Sequence, residues 1–231
     1  MAVCLRQLWR SSGALEAAFA PELRPRFLSH AFPAGVIGAS AVRLRMHGEI
    51  LLKKWTSFRA EEVLHRTRGF VWKARVGPFI RGSDSLVDGV GASSWKLLGM
   101  IPVLSASGPD IDRSAAGRWM AESTLLPSML LPELGATWDG TDVVLRRNGE
   151  SMTLHLAVDE RGGLQEFRTV RWGNPTGEPF GAYSFGGIVE EERNFGGITI
   201  PSRLRIGWYF GTPRWNEGEF FRMTIDEAVF R

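Results

Sequence analysis

The sequence predicts a mainly β (α+β) protein with one large curved antiparallel sheet of about ten or eleven strands, a central helix covering the concave face and a helical N-terminal segment. From Val36 onward, apolar and polar residues alternate with a period of two, which is typical of strands with one buried face. Short turns join consecutive strands, so we expect neighbouring strands to be antiparallel. The regular strand–helix alternation of a doubly wound sheet is missing, which excludes that fold. A single sheet of this size has to curl or close, and a curled sheet has a concave face.

The N-terminal residues 1–35 are predicted to form a helical segment that packs on a main domain covering residues 36–231. Apolar residues at helical spacing predict a helix near the start of the chain, and Pro21 and Pro25 end this pattern. A second short helix is expected over Glu22–Ala31. We interpret both as ordinary packing helices.

Five strands and one short helix are predicted before the central helix. Asp88-Gly89 is a strong hairpin signal between two of these strands. Thr56 or Ser57 is placed to cap a short polar helix over Phe58–His65. The predicted strands cover residues 42–46, 50–55, 70–76, 80–87 and 92–104.

The central helix is predicted over residues 110–126. Asp110 is placed as its N-cap, and Pro127 ends it. Apolar residues at helical spacing form one face of this helix, and Arg118 and Glu122, four residues apart, lie on the same face. We expect this face to cover the concave side of the sheet.

Strands resume after the central helix and continue to the end of the sequence. Asp139-Gly140 marks one turn between them, and Asn148-Gly149 is the clearest hairpin signal in the chain. The predicted strands cover residues 136–138, 143–147, 151–158, 164–172, 182–192, 198–210 and 219–231.

Composition and charge exclude several classes of protein. The 231 residues are 44% hydrophobic and 23% charged, which excludes disorder and collagen-like repeats. The single cysteine, Cys4, excludes an intrachain disulfide and a cysteine-based metal site. The net charge is only +3 and the arginines are spread along the chain, so the basic stripe of a nucleic-acid module is missing. No export leader or transmembrane segment is recognised, and we expect a cytoplasmic protein.

Motifs of established catalytic or metal chemistry are missing from the sequence. The four histidines lack HxH or HExxH spacing, which leaves little basis for a zinc site. There is no GxSxG elbow, no P-loop and no GxGxxG after a strand. We therefore predict no catalytic residue, no metal and no cofactor.

Tryptophans and one ion pair form the predicted ligand site. Trp72, Trp95 and Trp119 lie on the apolar faces of the predicted sheet and helix, where their rings would line a cavity. Arg118 and Glu122 would fix the head group of a ligand. The alternatives are ordinary core packing for the rings and an ion pair at the rim for the two charged residues.

Three hypotheses for the function follow. The first is a non-catalytic protein that binds a hydrophobic or amphiphilic, lipid-like small molecule, and we prefer it because a curled sheet under one helix is hard to fill completely. The second is an enzyme of unknown reaction that uses Asp84, Asp110 or Glu122 in the same cavity. The third is a nucleic-acid or protein interaction module that uses arginines and exposed aromatic rings.

Six sequence motifs together resemble a known group of proteins. They are RLRMHGE (43–49), GFVWKARV (69–76), GSDSLVDG (82–89), LLGMIP (97–102), GPDIDRSAAGRWMAE (108–122) and GEFFRMTIDEAVFR (218–231). As a set they resemble a bacterial family of soluble proteins of unknown function, from about Ala31 to the C-terminus. The strand order of that family is similar to the half-barrel of periplasmic lipoprotein carriers, in which a curved antiparallel sheet and capping helices enclose an apolar cavity. The resemblance implies a half-barrel with a hydrophobic ligand and provides no catalytic residues.

Overall fold

The computed structural model describes residues 5–10, 14–16, 25–34, 37–147, 149–175 and 177–231. The predictions made for Cys4, Pro21 and Asn148 lie outside these residues. Strands make up most of the described chain.

The helices are few, and α3 is the longest of those in the described residues. They are α1 (Leu5–Arg10), α2 (Arg26–Ala31), α3 (Pro109–Ala121) and α4 (Trp215–Gly218). Three 3₁₀ turns follow α3, at Glu122–Leu125, Pro127–Leu130 and Pro132–Leu134.

Both ends of the central helix differ from the prediction. Gly108, with φ of 105°, is the N-cap, and Pro109 is the first helical residue, so Asp110 lies in the first turn. The helix ends at Ala121 because the chain tightens into 3₁₀ turns there. The predicted boundary at residue 126 is therefore wrong by five residues.

Fifteen strands are present in the described residues. The first eight are β1 (Ala14–Glu16), β2 (Ile37–Ala39), β3 (Ala41–Leu51), β4 (Trp55–His65), β5 (Gly69–Val76), β6 (Ile80–Val87), β7 (Val90–Leu97) and β8 (Ile101–Ser107). The others are β9 (Thr137–Asp139), β10 (Asp142–Arg147), β11 (Glu150–Val158), β12 (Leu164–Gly173), β13 (Gly181–Phe195), β14 (Ile198–Trp208) and β15 (Glu219–Phe230).

Thirteen of these strands form one sheet in the order β8-β7-β6-β5-β4-β3-β15-β14-β13-β12-β11-β10-β9. Every neighbouring pair is antiparallel. The predicted fold class is therefore confirmed, with more strands than expected. One reason is that the strand predicted over 92–104 is two strands, because Leu98 and Gly99 turn the chain with φ of 53° and 75°.

The short helix predicted over Phe58–His65 is wrong, because these residues belong to strand β4. Phe58, Ala60, Glu62 and Leu64 alternate along the strand and are all buried. The helix is predicted from Thr56 or Ser57 as a cap supported by Glu61 or Glu62, whereas Glu62 occupies an inward position of the strand. The returning strand predicted over 50–55 is also wrong, because residues 50 and 51 are the end of β3 and the next strand, β4, begins only at Trp55.

Helix α3 lies across the concave face of the sheet and connects the two edge strands, β8 and β9. It contacts β5 to β8 on one side and β10 to β12 on the other. A helix can contact both ends of a single sheet only if the sheet curves around it. The convex face is covered locally by α1, whose Leu8 packs with Val63 and Val71.

The N-terminal segment contains a strand as well as helices. Its first helix ends at Arg10, and β1 then pairs antiparallel with β2, joining residues 14–16 to residues 37–39. In α2, Phe27 and Leu28 are buried in the main core. The predicted division at residue 36 stays a prediction. Across the described residues, no helix combines the length and the apolar character needed to span a bilayer.

Candidate functional site

A cavity of about 570 Å³ lies between the concave face of the sheet and α3. Apolar side chains from strands in both halves of the sheet, with a few from α3, the 3₁₀ turn after it and the loop between β12 and β13, form most of its wall. The larger of them are Met46, Ile50, Phe70, Trp72, Trp95, Leu104, Ile111, Leu125, Phe167, Phe180, Phe185, Leu204, Ile206, Trp208, Phe220, Phe221 and Met223.

Two glycines make room for two of the tryptophan rings. A Cβ built on Gly82 would overlap the ring of Trp95, its partner across the β6–β7 hairpin. A Cβ built on Gly173 would overlap the ring of Trp208 in the same way. The small residues therefore let each indole lie flat along the sheet and form part of the cavity wall.

Aromatic rings pack against one another on one side of the cavity. The centroid of the Trp72 ring lies 5.7 Å from that of Trp95 and 5.9 Å from that of Phe58. Phe221 stacks on Phe58 at 4.8 Å. Contacts of this kind fix the ring orientations and give the wall a defined shape.

The strand register brings two carboxyl groups to the same place on the concave face. Trp72 of β5 pairs with Glu62 of β4 on one side and with Asp84 of β6 on the other. Residues directly opposite in neighbouring strands point to the same face of a sheet. This row lies under the part of α3 that carries Arg118.

Arg118 contacts three carboxylates at once. Its Nε donates to Oε1 of Glu122 at 2.6 Å, one turn further along the chain. Its Nη1 lies 3.4 Å from Oδ2 of Asp84, and its Nη2 lies 3.3 Å from Oε1 of Glu62. The guanidinium also lies 4.5 Å from the ring centroid of Phe70. Burial alone would lower the pKa of Arg118, but attraction to the three carboxylates raises it overall, so the side chain stays charged.

Glu62 is the most buried member of this cluster, with 2% of its surface exposed. Burial and repulsion from Glu122 raise its pKa well above the ordinary value of 4.5, against the attraction of Arg118. Oε2 of Glu122 is buried without a donor among the described residues, and a protonated Glu62 can supply one. With Glu62 protonated, Asp84 and Glu122 are the other acidic side chains that contact Arg118.

Asp84 is held by neutral donors as well as by Arg118. Its Oδ1 accepts hydrogen bonds from Oγ of Ser93 at 2.6 Å and from Nε1 of Trp95 at 3.0 Å. The indole of Trp95 is therefore fixed both by a hydrogen bond and by the space above Gly82. These contacts join the polar cluster to the aromatic wall.

A second arginine, Arg171, lies in the cavity wall on the β12 side. Its Nε and Nη2 donate to the carbonyl oxygen of Ser114 at 3.3 and 3.2 Å. Its guanidinium lies 4.7 Å from the ring centroid of Phe185 and 5.1 Å from that of Trp208. Burial, and then repulsion from Arg118, lower the pKa of Arg171 to about 9.

The structure brings together four of the five residues predicted to bind a ligand. Trp72, Trp95, Arg118 and Glu122 all line the cavity, whereas Trp119 does not. Trp119 is fully buried on another side of α3, where its Nε1 donates to the carbonyl oxygen of His65 at 3.0 Å. Its assignment to the cavity wall is corrected, because the next residue on a helix points about 100° away from Arg118.

The carboxylates of the enzyme hypothesis divide between two places. Asp84 and Glu122 line the cavity, but Asp110 lies outside its wall and accepts a hydrogen bond from Nε1 of Trp172 at 3.0 Å. Sequence reasoning missed Glu62 and Arg171. Each stands at an inward position of a strand alternation, which is the signal that could have identified it. Within the described part of the chain, no group of three or more His, Cys, Asp or Glu side chains is placed to hold a metal ion.

Comparison with known proteins identifies a family for this sequence and distant structural similarities. The profile of a family of unknown function, DUF6920, matches residues 20–230, as expected from the resemblance to a family of unknown function. No curated protein matches the chain.

Solved structures that are similar at low sequence identity include the following three. A LolA superfamily protein from Nitrosomonas europaea has 8% identity and a TM-score of 0.44, over 100% of this chain and 94% of that one. A "putative outer membrane lipoprotein-sorting protein domain" from Vibrio parahaemolyticus has 7% identity and a TM-score of 0.39, over 83% and 86%. A DUF1329 family protein from Desulfovibrio piger has 12% identity and a TM-score of 0.30, over 83% and 86%.

Proposed function

We propose that this chain, which belongs to the family of unknown function DUF6920, binds one hydrophobic or amphiphilic small molecule in the cavity between its curved sheet and α3. The observation that carries the proposal is the cavity itself. Its volume of about 570 Å³ falls within the range of roughly 300–1,000 Å³ typical of small-molecule sites. Such sites are mostly apolar with a few convergent polar groups, which also describes this wall.

Burial of apolar surface is the expected driving force for binding. Each Å² of apolar surface removed from water contributes about 25 cal/mol, and the half-buried rings of Trp95, Trp208 and Phe221 still expose surface that a ligand would cover. The positive charge of Arg118 is already compensated by the acidic side chains that it contacts. A ligand therefore gains most of its affinity from its apolar part.

The geometry favours a binding function over the two alternatives. Glu62, the carboxyl group with the strongly raised pKa, is almost completely buried and contacts Arg118, which is typical of a structural network. On the surface, Arg45, Arg203 and Arg214 each contact two carboxylates, so their charge is locally compensated. This pairing offers little support for a nucleic-acid-binding face.

The test combines recovery of a native ligand with binding of a fluorescent probe. Mass spectrometry of the denatured, purified protein is expected to detect a co-purified apolar or amphiphilic compound. Titration with the neutral probe N-phenyl-1-naphthylamine is expected to give saturable binding of one probe per chain. Absence of both a co-purified compound and saturable probe binding would overturn the proposal.

Two variants that replace an alanine by phenylalanine test where the probe binds. Ala115→Phe adds a ring on the cavity side of α3 and is expected to weaken probe binding by at least about tenfold. Ala157→Phe adds the same ring at an exposed position of β11 outside the cavity and is expected to leave binding unchanged. Equal binding by the wild type and Ala115→Phe would place the probe elsewhere and count against the proposal.

A further inference from the structure

The two arginines of the cavity wall differ in their partners. Arg118 contacts Glu62, Asp84 and Glu122, whereas no carboxylate of the described residues lies within ion-pair distance of Arg171. Glu122 and Asp84 act on Arg171 only by longer-range attraction. Arg171 is nevertheless only 9% exposed, and a buried cation without a directly bonded anion is costly.

The surroundings of Arg171 hold its guanidinium in a fixed position. Two of its nitrogens share the carbonyl oxygen of Ser114, and the rings of Phe185 and Trp208 lie against the planar group. The aliphatic stem crosses α3 at Gly117, where a Cβ would come within 2.9 Å of Cγ of Arg171. The glycine therefore allows the arginine to approach the helix.

The third nitrogen of this guanidinium is available to a ligand. Nη1 makes no hydrogen bond to any described residue, and the side chain forms part of the cavity wall. Nη1 and Nη2 of an arginine present parallel N–H groups that match the two oxygens of a carboxylate or phosphate. The fixed position reduces the entropy that such a contact would cost.

We propose that Arg171 binds the anionic head group, a carboxylate or a phosphate monoester, of an amphiphile whose apolar tail lies along the aromatic wall of the cavity. This inference rests on the proposed function. Asp84 and Glu122 attract Arg171 as well as Arg118, so they oppose an incoming anion. We therefore expect a moderate preference, about tenfold in dissociation constant, for an anionic over a neutral head group.

The experiment compares three ligands with the same tail. Dodecanoate, dodecyl phosphate and dodecanol are titrated, below their aggregation concentrations, as competitors of N-phenyl-1-naphthylamine. At least one anion is expected to displace the probe from the wild type at about tenfold lower concentration than dodecanol. The anion that does so identifies the head group as carboxylate or phosphate, and displacement by both identifies their shared charge.

Variants assign this preference to one side chain. Arg171→Met is expected to abolish the preference for an anionic head group while dodecanol still displaces the probe. The control Arg168→Met, on the exposed face of the same strand, is expected to retain that preference. Where Arg171→Met does not fold, Gly117→Ala provides the second variant, because its Cβ displaces the arginine and should reduce the preference.

The outcomes separate this inference from the function on which it rests. Equal displacement by all three ligands in the wild type, or an undiminished preference in Arg171→Met or Gly117→Ala, would overturn the role of Arg171 and leave cavity binding intact. Failure of the wild type to bind the probe at all would overturn the proposed function instead.

Discussion

The buried carboxyl group of Glu62 predicts an unusual dependence of stability on pH. Burial and the neighbouring Glu122 raise the pKa of Glu62 in the folded protein, whereas the unfolded chain has the ordinary value of 4.5. Between these two values the folded state binds more protons than the unfolded state. The free energy of unfolding contributed by this group is therefore fully present below pH 4.5 and is lost as the pH rises toward the folded-state pKa.

Glu62→Gln removes this dependence, because glutamine resembles the protonated acid and cannot ionise. One proton bound differently by the two states corresponds to about 1.4 kcal/mol per pH unit. Relative to the wild type, the free energy of unfolding of the variant should rise by up to that amount for each pH unit between 4.5 and the folded-state pKa of Glu62. A change of this size exceeds the extrapolation error of about 10–15% when the stability lies near the lower end of the usual range of about 5–15 kcal/mol.

The measurement is urea unfolding followed by tryptophan fluorescence, at pH values from 4.5 upward, for the wild type and two variants. The control is Glu61→Gln, which removes a neighbouring carboxylate on the exposed face of the same strand, where it contacts Arg45. Glu61→Gln should follow the wild-type pH dependence within the small effects typical of exposed ion pairs. Parallel pH profiles for Glu62→Gln and the wild type would show that Glu62 is charged in the folded protein and refute the reasoning.

Two further predictions concern the scaffold of the cavity, and urea unfolding measures both. Gly69→Ala places a Cβ at φ of +113° against the backbone of β6 and should destabilise the fold by about 1–3 kcal/mol or more. The control Gly140→Ala, at φ of +59° in open space, should cost about 1 kcal/mol. Equal effects of the two substitutions would contradict the close approach of Gly69 to β6. Ser128→Ala removes the hydroxyl that accepts the buried N–H of Ala39 at 2.9 Å and should cost about 1–3 kcal/mol. The control Ser57→Ala, at an exposed strand position, should change the free energy of unfolding by no more than about 0.5 kcal/mol. An equally small effect of Ser128→Ala would mean that the buried N–H of Ala39 finds another acceptor.

Much of the candidate site could be predicted from local patterns. The alternation in β5 assigns Trp72 to the inward face, and the spacing along α3 puts Arg118 and Glu122 on one side of the helix. These inferences need only the periods of strands and helices. Trp119 was misplaced because a helix has buried residues on more than one side when it is enclosed, and spacing alone does not say which side adjoins a cavity.

Glu62 and Arg171 were missed for a different reason. Glu62 lies in a segment predicted as a helix. Arg171 lies in a strand that was predicted, but a charged residue at an inward strand position gives no local sign of its partners. Whether such a residue is paired depends on atoms that are distant in sequence. Glu62 and Asp84 meet Arg118 across 56 and 34 residues, whereas the hydrogen bonds of the Arg171 side chain within the described residues go to a backbone carbonyl 57 residues away.

The fold class follows from the amino-acid sequence, because alternation, turn residues and one helical interval are local properties of the chain. The path of α3 from β8 to β9, over a sheet curved enough to leave an unfilled cavity, depends instead on how distant elements pack together. Packing also places Arg118 against three carboxyl groups, whereas no carboxylate of the described residues lies within ion-pair distance of Arg171. The physical reason is that curvature, unfilled volume and charge pairing depend on packing between segments far apart in the sequence, for which local periodicity carries no distance information.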